Sequence, residues 1–280
     1  MKNNLKIIKK ALKIKLDKKS KDLRKIIVSS ILSEGRGHLG SALSIVEVIR
    51  VIYEKILKIN KKNLNSESRD YFILSKGHGC LGLYAVLNDI GVISKKELLK
   101  CGKFDAQLAG HPEHIVSGVE ASTGSLGNGL PIAVGIALGL KLKKKNNKVV
   151  VLTGDGEINE GSVWESFLHI SKHRLDNLYV VIDYNKFQSY DQVKSVVSLE
   201  SLYDKIKSFN LNVFEVNGHD MYEIEKVFKK AIKLKNGKSS VIISHSVKGK
   251  GIKSAENNRF WHHKSNLTEE EIRSISEDLL

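Results

Sequence analysis

The sequence predicts an α/β fold: a parallel sheet covered by helices on both faces. Three observations carry that expectation. Five short apolar runs, YFIL (71–74), VVVL (149–152), LYVVI (178–182), VFEV (213–216) and VIIS (241–244), have the length of strands and the apolarity of strands buried on both sides. Segments of helical periodicity separate most of them, the alternation that builds a parallel sheet. No repeat, low-complexity tract or Pro/Gly-rich linker divides the chain, so residues 1–280 are expected to form a single domain with an N-terminal helical extension.

Taken in order, apolar residues recur at helical spacing from about Leu5 to Leu32, and after a glycine-containing turn a second helical pattern runs from Ser44 to about Ile59. YFIL leads through SKGHG into an apolar helix. The Gly102 to Gly127 stretch is loop-rich and breaks the alternation. VVVLT ends in Gly154-Asp155-Gly156-Glu157, ahead of a helix containing Trp164 and Glu165, and LYVVIDY ends in Asn185-Lys186-Phe187. Ligands of such sheets sit beyond the carboxyl ends of the strands, where the glycine- and histidine-rich stretches fall.

Composition narrows the function classes. With 280 residues, 41% of them hydrophobic, the chain can bury a sizeable core. The two cysteines, Cys80 and Cys101, stand outside any CxxC or Cys/His spacing, which supports neither a disulfide framework nor a structural zinc site. Lysines interrupt the N-terminal apolar residues, and no run approaches membrane-spanning length, so a soluble, cytoplasmic chain is expected. The formal charge of +15 raises the question of nucleic acid. The lysines are spread, however, over helical patterns (Lys6, Lys9, Lys10, Lys13) and loops (Lys143, Lys144, Lys145), without a reader motif, which favours solvated faces over a nucleic-acid surface. Attraction of anionic sugar phosphates lies between these readings.

Two successive strands end at Asp155 and Asn185, so both side chains can face one ion. A carboxylate, an amide oxygen and a backbone carbonyl suit Mg²⁺ or Ca²⁺, with diphosphate oxygens and water completing the set. Gly156 lets backbone N–H groups approach phosphate near a helix start. GDG alone also describes an ordinary turn; its pairing with an Asn after the next strand strengthens the metal reading. The P-loop pattern GxxxxGK[ST] is absent.

These residues resemble the thiamine diphosphate signature, and seven blocks in order narrow the resemblance to the transketolase family: GRGHLGSALS (35–44), LSKGHGCLGLYAVL (74–87), GHPE (110–113), STGSLGNGLPIAVGIALG (122–139), GDGEINEGSVWE (154–165), DYNKFQS (183–189), and VKGKG with the later EN and WHH (247–263). The resemblance implies thiamine diphosphate and Mg²⁺ (or Ca²⁺ or Mn²⁺) as cofactors. Asp155, Asn185 and the Phe187 carbonyl would hold the metal, and Gly154, Asp155, Gly156, Glu157, Asn185, His78 and His262 would hold the diphosphate. Gly124, Leu126 and Gly127 would wall the thiazolium, although Ser125 stands where the family usually has proline. His38, His111 and His262 would exchange protons with the sugar. The family's usual glycine after the last histidine is His263 here, which leaves the register between His262 and His263 open, with His262 preferred. Glu160 reads either as a carboxylate of the interface between chains or as a solvated first-turn glutamate.

Full-length transketolases continue into a pyrimidine-binding domain and a C-terminal domain. The resemblance therefore implies a partner chain that supplies both, including the glutamate that activates the cofactor, and a heterotetramer of two of each chain. The implied reaction moves a two-carbon ketol unit from a ketose to an aldose. The sugars are pentose phosphates by default; DYNKFQS and ENNRFWHHK also resemble split pairs acting on unusual sugars. The alternatives are a deoxyxylulose-phosphate-type synthase or 2-oxo acid dehydrogenase subunit, and a non-catalytic nucleic-acid-binding or scaffold protein.

Overall fold

A computed structural model describes residues 2–280, with side chains from Leu5 onward. Helices α1 (Lys2–Lys13) and α2 (Lys18–Glu34) precede a two-residue strand, β1 (Arg36–Gly37), followed by α3 (Leu39–Leu43) and α4 (Val46–Val51). Then come β2 (Tyr71–Leu74), α5 (Cys80–Asp89), α6 (Lys95–Leu98), α7 (Gly129–Leu142), β3 (Val149–Gly154), α8 (Gly161–Lys172) and β4 (Leu178–Tyr184). The chain closes with α9 (Val193–Val196), α10 (Leu202–Lys207), β5 (Asn212–Asn217), α11 (Met221–Lys233), β6 (Ser240–His245), β7 (Lys264–Ser265) and α12 (Glu269–Leu279).

The five long strands form one wholly parallel sheet in the order β2-β3-β4-β6-β5. Successive side chains point to opposite faces, so each strand feeds two cores. Phe72, Leu74, Val150, Leu152, Tyr179 and Val181 join the core made with α2, α3, α4, α5, α11 and α12. Ile73, Val149, Val151, Leu178, Val180 and Ile182 join the core beneath α7, α8 and α10. Both faces are thus dry, and the apolar runs of the sequence mark all five strands. β1 and β7 pair separately, antiparallel, with Arg36 opposite Ser265 and Gly37 opposite Lys264.

The N-terminal periodicity from Leu5 to Leu32 is not one helix. Asp17 leaves the helical region (φ −71°, ψ 165°) and its carboxylate accepts the Ser20 N–H at 2.6 Å, which restarts the chain as α2. The pattern from Ser44 to Ile59 is likewise divided. Helix begins earlier, at Leu39, breaks at Ser44 and Ile45, and runs through α4 into a π-helical turn, Ile52–Ile56. Asp70 Oδ2 then accepts the Lys58 N–H and fixes the exit.

Candidate active site

Beyond the carboxyl ends of β2, β3 and β4 lies a cavity of about 290 Å³ lined by Ser41, Lys76, His78, Leu126 and the 154–157 and 185–190 turns, among others, with His262 across the mouth. Asp155 follows β3 directly, and its two oxygens accept the Gly156 N–H (2.8 Å) and the Lys186 N–H (2.6 Å), which binds the β3 turn to the β4 turn. One strand over, Asp183 Oδ2 accepts from the Asn185 amide nitrogen at 2.9 Å. That contact turns Asn185 Oδ1 toward the Phe187 N–H, 3.0 Å away, on the cavity side.

The donor set fits a small hard cation. Burial, and then the nearby Asp183 carboxylate, push the Asp155 carboxyl up to about 7, the condition of a buried carboxylate that a bound cation would relieve. Asp155, Asn185 Oδ1 and the Phe187 carbonyl would all offer oxygen to such a cation. Among the described residues no group of three or more His, Cys, Asp or Glu side chains could hold a metal by itself, so ligand oxygens and water must complete the shell. For an anion, the cavity offers the almost wholly buried Lys76 side chain with His78 and His262, and the equally buried Lys248 ammonium stands behind this lining, on His262 Nδ1 and the Phe187 and Gln188 carbonyls. Burial, and then Lys76, lower the Lys248 ammonium to about 8.

Glu157 lines this cavity but does not present a free carboxylate to it. Its oxygens accept from Ser75 Oγ (2.5 Å), the Gly127 N–H (2.9 Å) and the Gly154 N–H (3.1 Å). It pins the 124–127 loop to the end of β3 and so holds Leu126 at the wall. Gly124 is packed against the His111 ring: a Cβ there would lie 2.8 Å from His111 Cδ2. Glu160 stands at the rim and makes no capping bond to α8.

The histidines converge from four separate segments. His38 is central, with ring centroids of His78, His111, His262 and His263 at 5.4, 5.9, 5.4 and 4.8 Å. The β1–β7 ladder brings the first segment to the last. From helix α5, Tyr84 Oη donates to the His111 carbonyl (3.0 Å) and Cys80 Sγ to the Gly110 carbonyl (3.1 Å), which fixes the GHPE loop. Burial lowers His38 to about 4, with further repulsion from His263, and lowers His262 to about 3, with further repulsion from Lys248. At neutral pH these are neutral imidazoles able both to donate and to accept. The Lys248 ammonium can only donate, so His262 Nδ1 accepts from it (2.6 Å) and Nε2 carries the proton toward Ser189 Oγ (2.9 Å). His262 and His263 face different cavities: His262 faces the Asp155 cavity, and His263 faces an adjoining cavity of about 240 Å³ with His38 and His111.

Lys76, Lys248 and Asp183 are buried charged residues at the site that the motifs alone did not single out. The first two lie inside SKGHG and VKGKG, a glycine beside each and each soon after a strand, a placement that distinguishes them from the many surface lysines. Asp183 is a lone charge inside an apolar strand.

The family described as "Transketolase, thiamine diphosphate binding domain" matches residues 17–279. The chain belongs to the transketolase family. The match leaves α1 outside. An apulose-4-phosphate transketolase subunit of Phocaeicola vulgatus is 37% identical over 94% of this chain and 94% of its own length. The same-named subunit of Actinobacillus succinogenes is 39% identical over 89% and 90%. A 6-deoxy-6-sulfo-D-fructose transketolase subunit of a Clostridium species is 35% identical over 92% and 93%. Among solved structures, transketolase from Campylobacter jejuni superposes with a TM-score of 0.85 at 28% identity, over 94% of this chain and 42% of that one. A Pichia stipitis transketolase variant gives 0.87 at 26%, over 94% and 40%. The chain thus spans about two fifths of these solved transketolases and nearly all of the three relatives named as subunits. It is a transketolase-type subunit with the thiamine-diphosphate-binding α/β fold. No helix among the described residues is long and apolar enough to cross a membrane.

Proposed function

We propose that this chain is the diphosphate-binding half of a two-chain transketolase that transfers a two-carbon ketol unit from an anionic ketose to an aldose. One observation carries the reading: an oxygen-ligand and lysine floor at Asp155, Asn185 and Lys76, with Lys248 behind it on His262, meets a wall of neutral histidines around His38. The floor suits a diphosphate with Mg²⁺, and the wall suits a polyol. Thiamine diphosphate, when bound, supplies the carbanion chemistry that cleaves and re-forms the carbon–carbon bond.

In this assignment Asp155, Asn185 Oδ1 and the Phe187 carbonyl hold the cation. Lys76, Lys248, His78 and His262 neutralise and donate to the diphosphate, and Gly154 and Gly156 let the backbone come close. Gly124, Leu126 and Gly127 form the wall behind the thiazolium, with Glu157 holding that wall in place. His38, His111 and the His262–His263 pair hold and move protons at sugar oxygens, a role open to imidazoles that are neutral at working pH. Names of relatives supply the substrate class, a sugar phosphate or a modified anionic sugar.

The partner is a chain carrying the pyrimidine-binding and C-terminal domains, in a cytoplasmic heterotetramer of two of each. Support comes from the relatives' being named as subunits and from the apolar residues Ile132, Leu142 and Leu168, which α7 and α8 leave exposed. Co-purification with that partner, followed by transfer from xylulose 5-phosphate to ribose 5-phosphate, tests the reading. Activity from the pair alone, dependent on thiamine diphosphate and Mg²⁺, is the expected result. Pyruvate decarboxylation without ketol transfer would overturn it, and so would unchanged cofactor affinity in Asp155→Ala by calorimetry.

A further inference from the structure

Away from the cavity, an ionic cluster is buried among α2, α4 and the turn after β5. Arg24, Glu47 and His219 are 0%, 1% and 3% exposed. Arg24 grips Glu47 with both terminal nitrogens, at 2.6 and 3.0 Å, and gives its remaining donors to the carbonyls of Ser20 (3.1 Å), Leu43 (3.0 Å) and Lys250 (2.7 Å). All five guanidinium N–H groups are used. His219 Nε2 accepts the Val247 N–H at 2.9 Å, so Nδ1 carries the proton and donates to Glu47 at 2.7 Å. Burial alone would raise the Glu47 carboxyl, but Arg24 and His219 hold it well below the usual range.

Such a cluster is costly to bury, and apolar residues of the same volume would stabilise the chain as well or better. Its geometry points to another role. The two ends of one segment hang from it: Val247 through its N–H on His219, and Lys250 through its carbonyl on Arg24. Between them the backbone is pinned again by the Gly249 N–H on the Gly40 carbonyl at 3.0 Å. The residue thus suspended is Lys248. Its stem passes Gly40, where a Cβ would lie 3.2 Å from Lys248 Cγ. Its ammonium reaches His262 Nδ1 and the Gln188 and Phe187 carbonyls, at 2.6, 3.2 and 3.4 Å.

We infer that Arg24, Glu47 and His219 are positioning residues for Lys248, setting its ammonium against His262 through the 247–250 backbone. The importance of that ammonium for a diphosphate rests on the function proposed above; its placement does not.

The first measurement is made on the full chain without cofactor, following the His262 imidazole ¹⁵N resonances. Lys248→Met shifts Nδ1, and His219→Ala shifts it in the same direction, while His219→Gln, whose amide can still accept from Val247, restores it. An unmoved Nδ1 in a folded His219→Ala chain overturns the inference, whatever the chain catalyses. Should His219→Ala not fold, His219→Asn, too short to reach both partners, takes its place under the same criterion. The second measurement is thiamine diphosphate affinity of the assembled pair with Mg²⁺. His219→Ala weakens it roughly tenfold, and His219→Ala/Lys248→Met binds no more weakly than Lys248→Met alone. Losses that multiply in the double variant would show that His219 acts independently of Lys248 and refute the assignment. If the wild-type pair binds no cofactor, the proposed function fails and the resonance test still decides this one.

Discussion

The Lys76 ammonium lies 2.5 Å from Asp183 Oδ2, and both side chains are 1% exposed. The pair joins the loop after β2 to the interior of β4 across the intervening strand, and it orients Asn185 through the second contact of the same Asp183 oxygen. Ser44 and Ser246 also donate to Asp183, so the carboxylate is bound on every side.

Removing the lysine alone should be severe. Lys76→Met leaves Asp183 buried without a counter-charge, and the expected loss is about 3–5 kcal/mol of unfolding free energy. Lys76→Met/Asp183→Asn should recover much of it. Urea denaturation of the chain alone measures both.

Acid should weaken the fold through His38. Its folded pKa, about 4, lies below the usual imidazole value, so its contribution is present above about pH 6.5 and is lost as pH falls toward 4. His38→Gln lacks that contribution. The stability difference between wild type and His38→Gln should therefore shrink by about 1–2 kcal/mol from pH 7 to pH 4, a figure discounted for partial exposure of the ring. Denaturation curves at the two pH values give the comparison.

Gly77 touches the 123–124 backbone so closely that a Cβ would lie 2.6 Å from the Thr123 carbonyl carbon. Neither backbone can yield without parting the end of β2 from the loop that walls the cavity. Gly77→Ala should cost about 2–3 kcal/mol, read as a fall in urea midpoint at constant slope.

Gly135 on α7 is the opposite case, since a Cβ there would meet nothing within 4 Å. Gly135→Arg should leave the isolated chain as stable or slightly more so, because glycine is a poor helix former. Co-purification with the partner chain should be lost. Retained assembly would place the partner elsewhere than on α7.

Much of this was legible in the sequence. Period-two burial on both faces leaves apolar runs, so the strands could be read directly, and residues that end strands, Asp155 and Asn185, could be paired from their positions alone. The helix breaks were not legible from periodicity, because Asp17 acts by capping a new helix while the apolar spacing continues past it. Lys76 and Lys248 were hidden by abundance in a chain with 46 Lys and Arg residues. Burial tells them from their solvated counterparts, and the glycine beside each, soon after a strand, is the sequence signal that goes with it. The surroundings of His262 and His263 were not legible either, because adjacent residues can face different cavities.

The β1–β7 ladder has a bearing on synthesis. The strands of the sheet are complete once the ribosome has passed His245, yet the histidine ring closes only when Lys264 and Ser265 emerge to pair with Gly37 and Arg36. A chain released early can fold most of its core without gathering the histidines around His38. The last stretch of translation therefore separates a chain whose sheet is formed from one whose histidines are gathered.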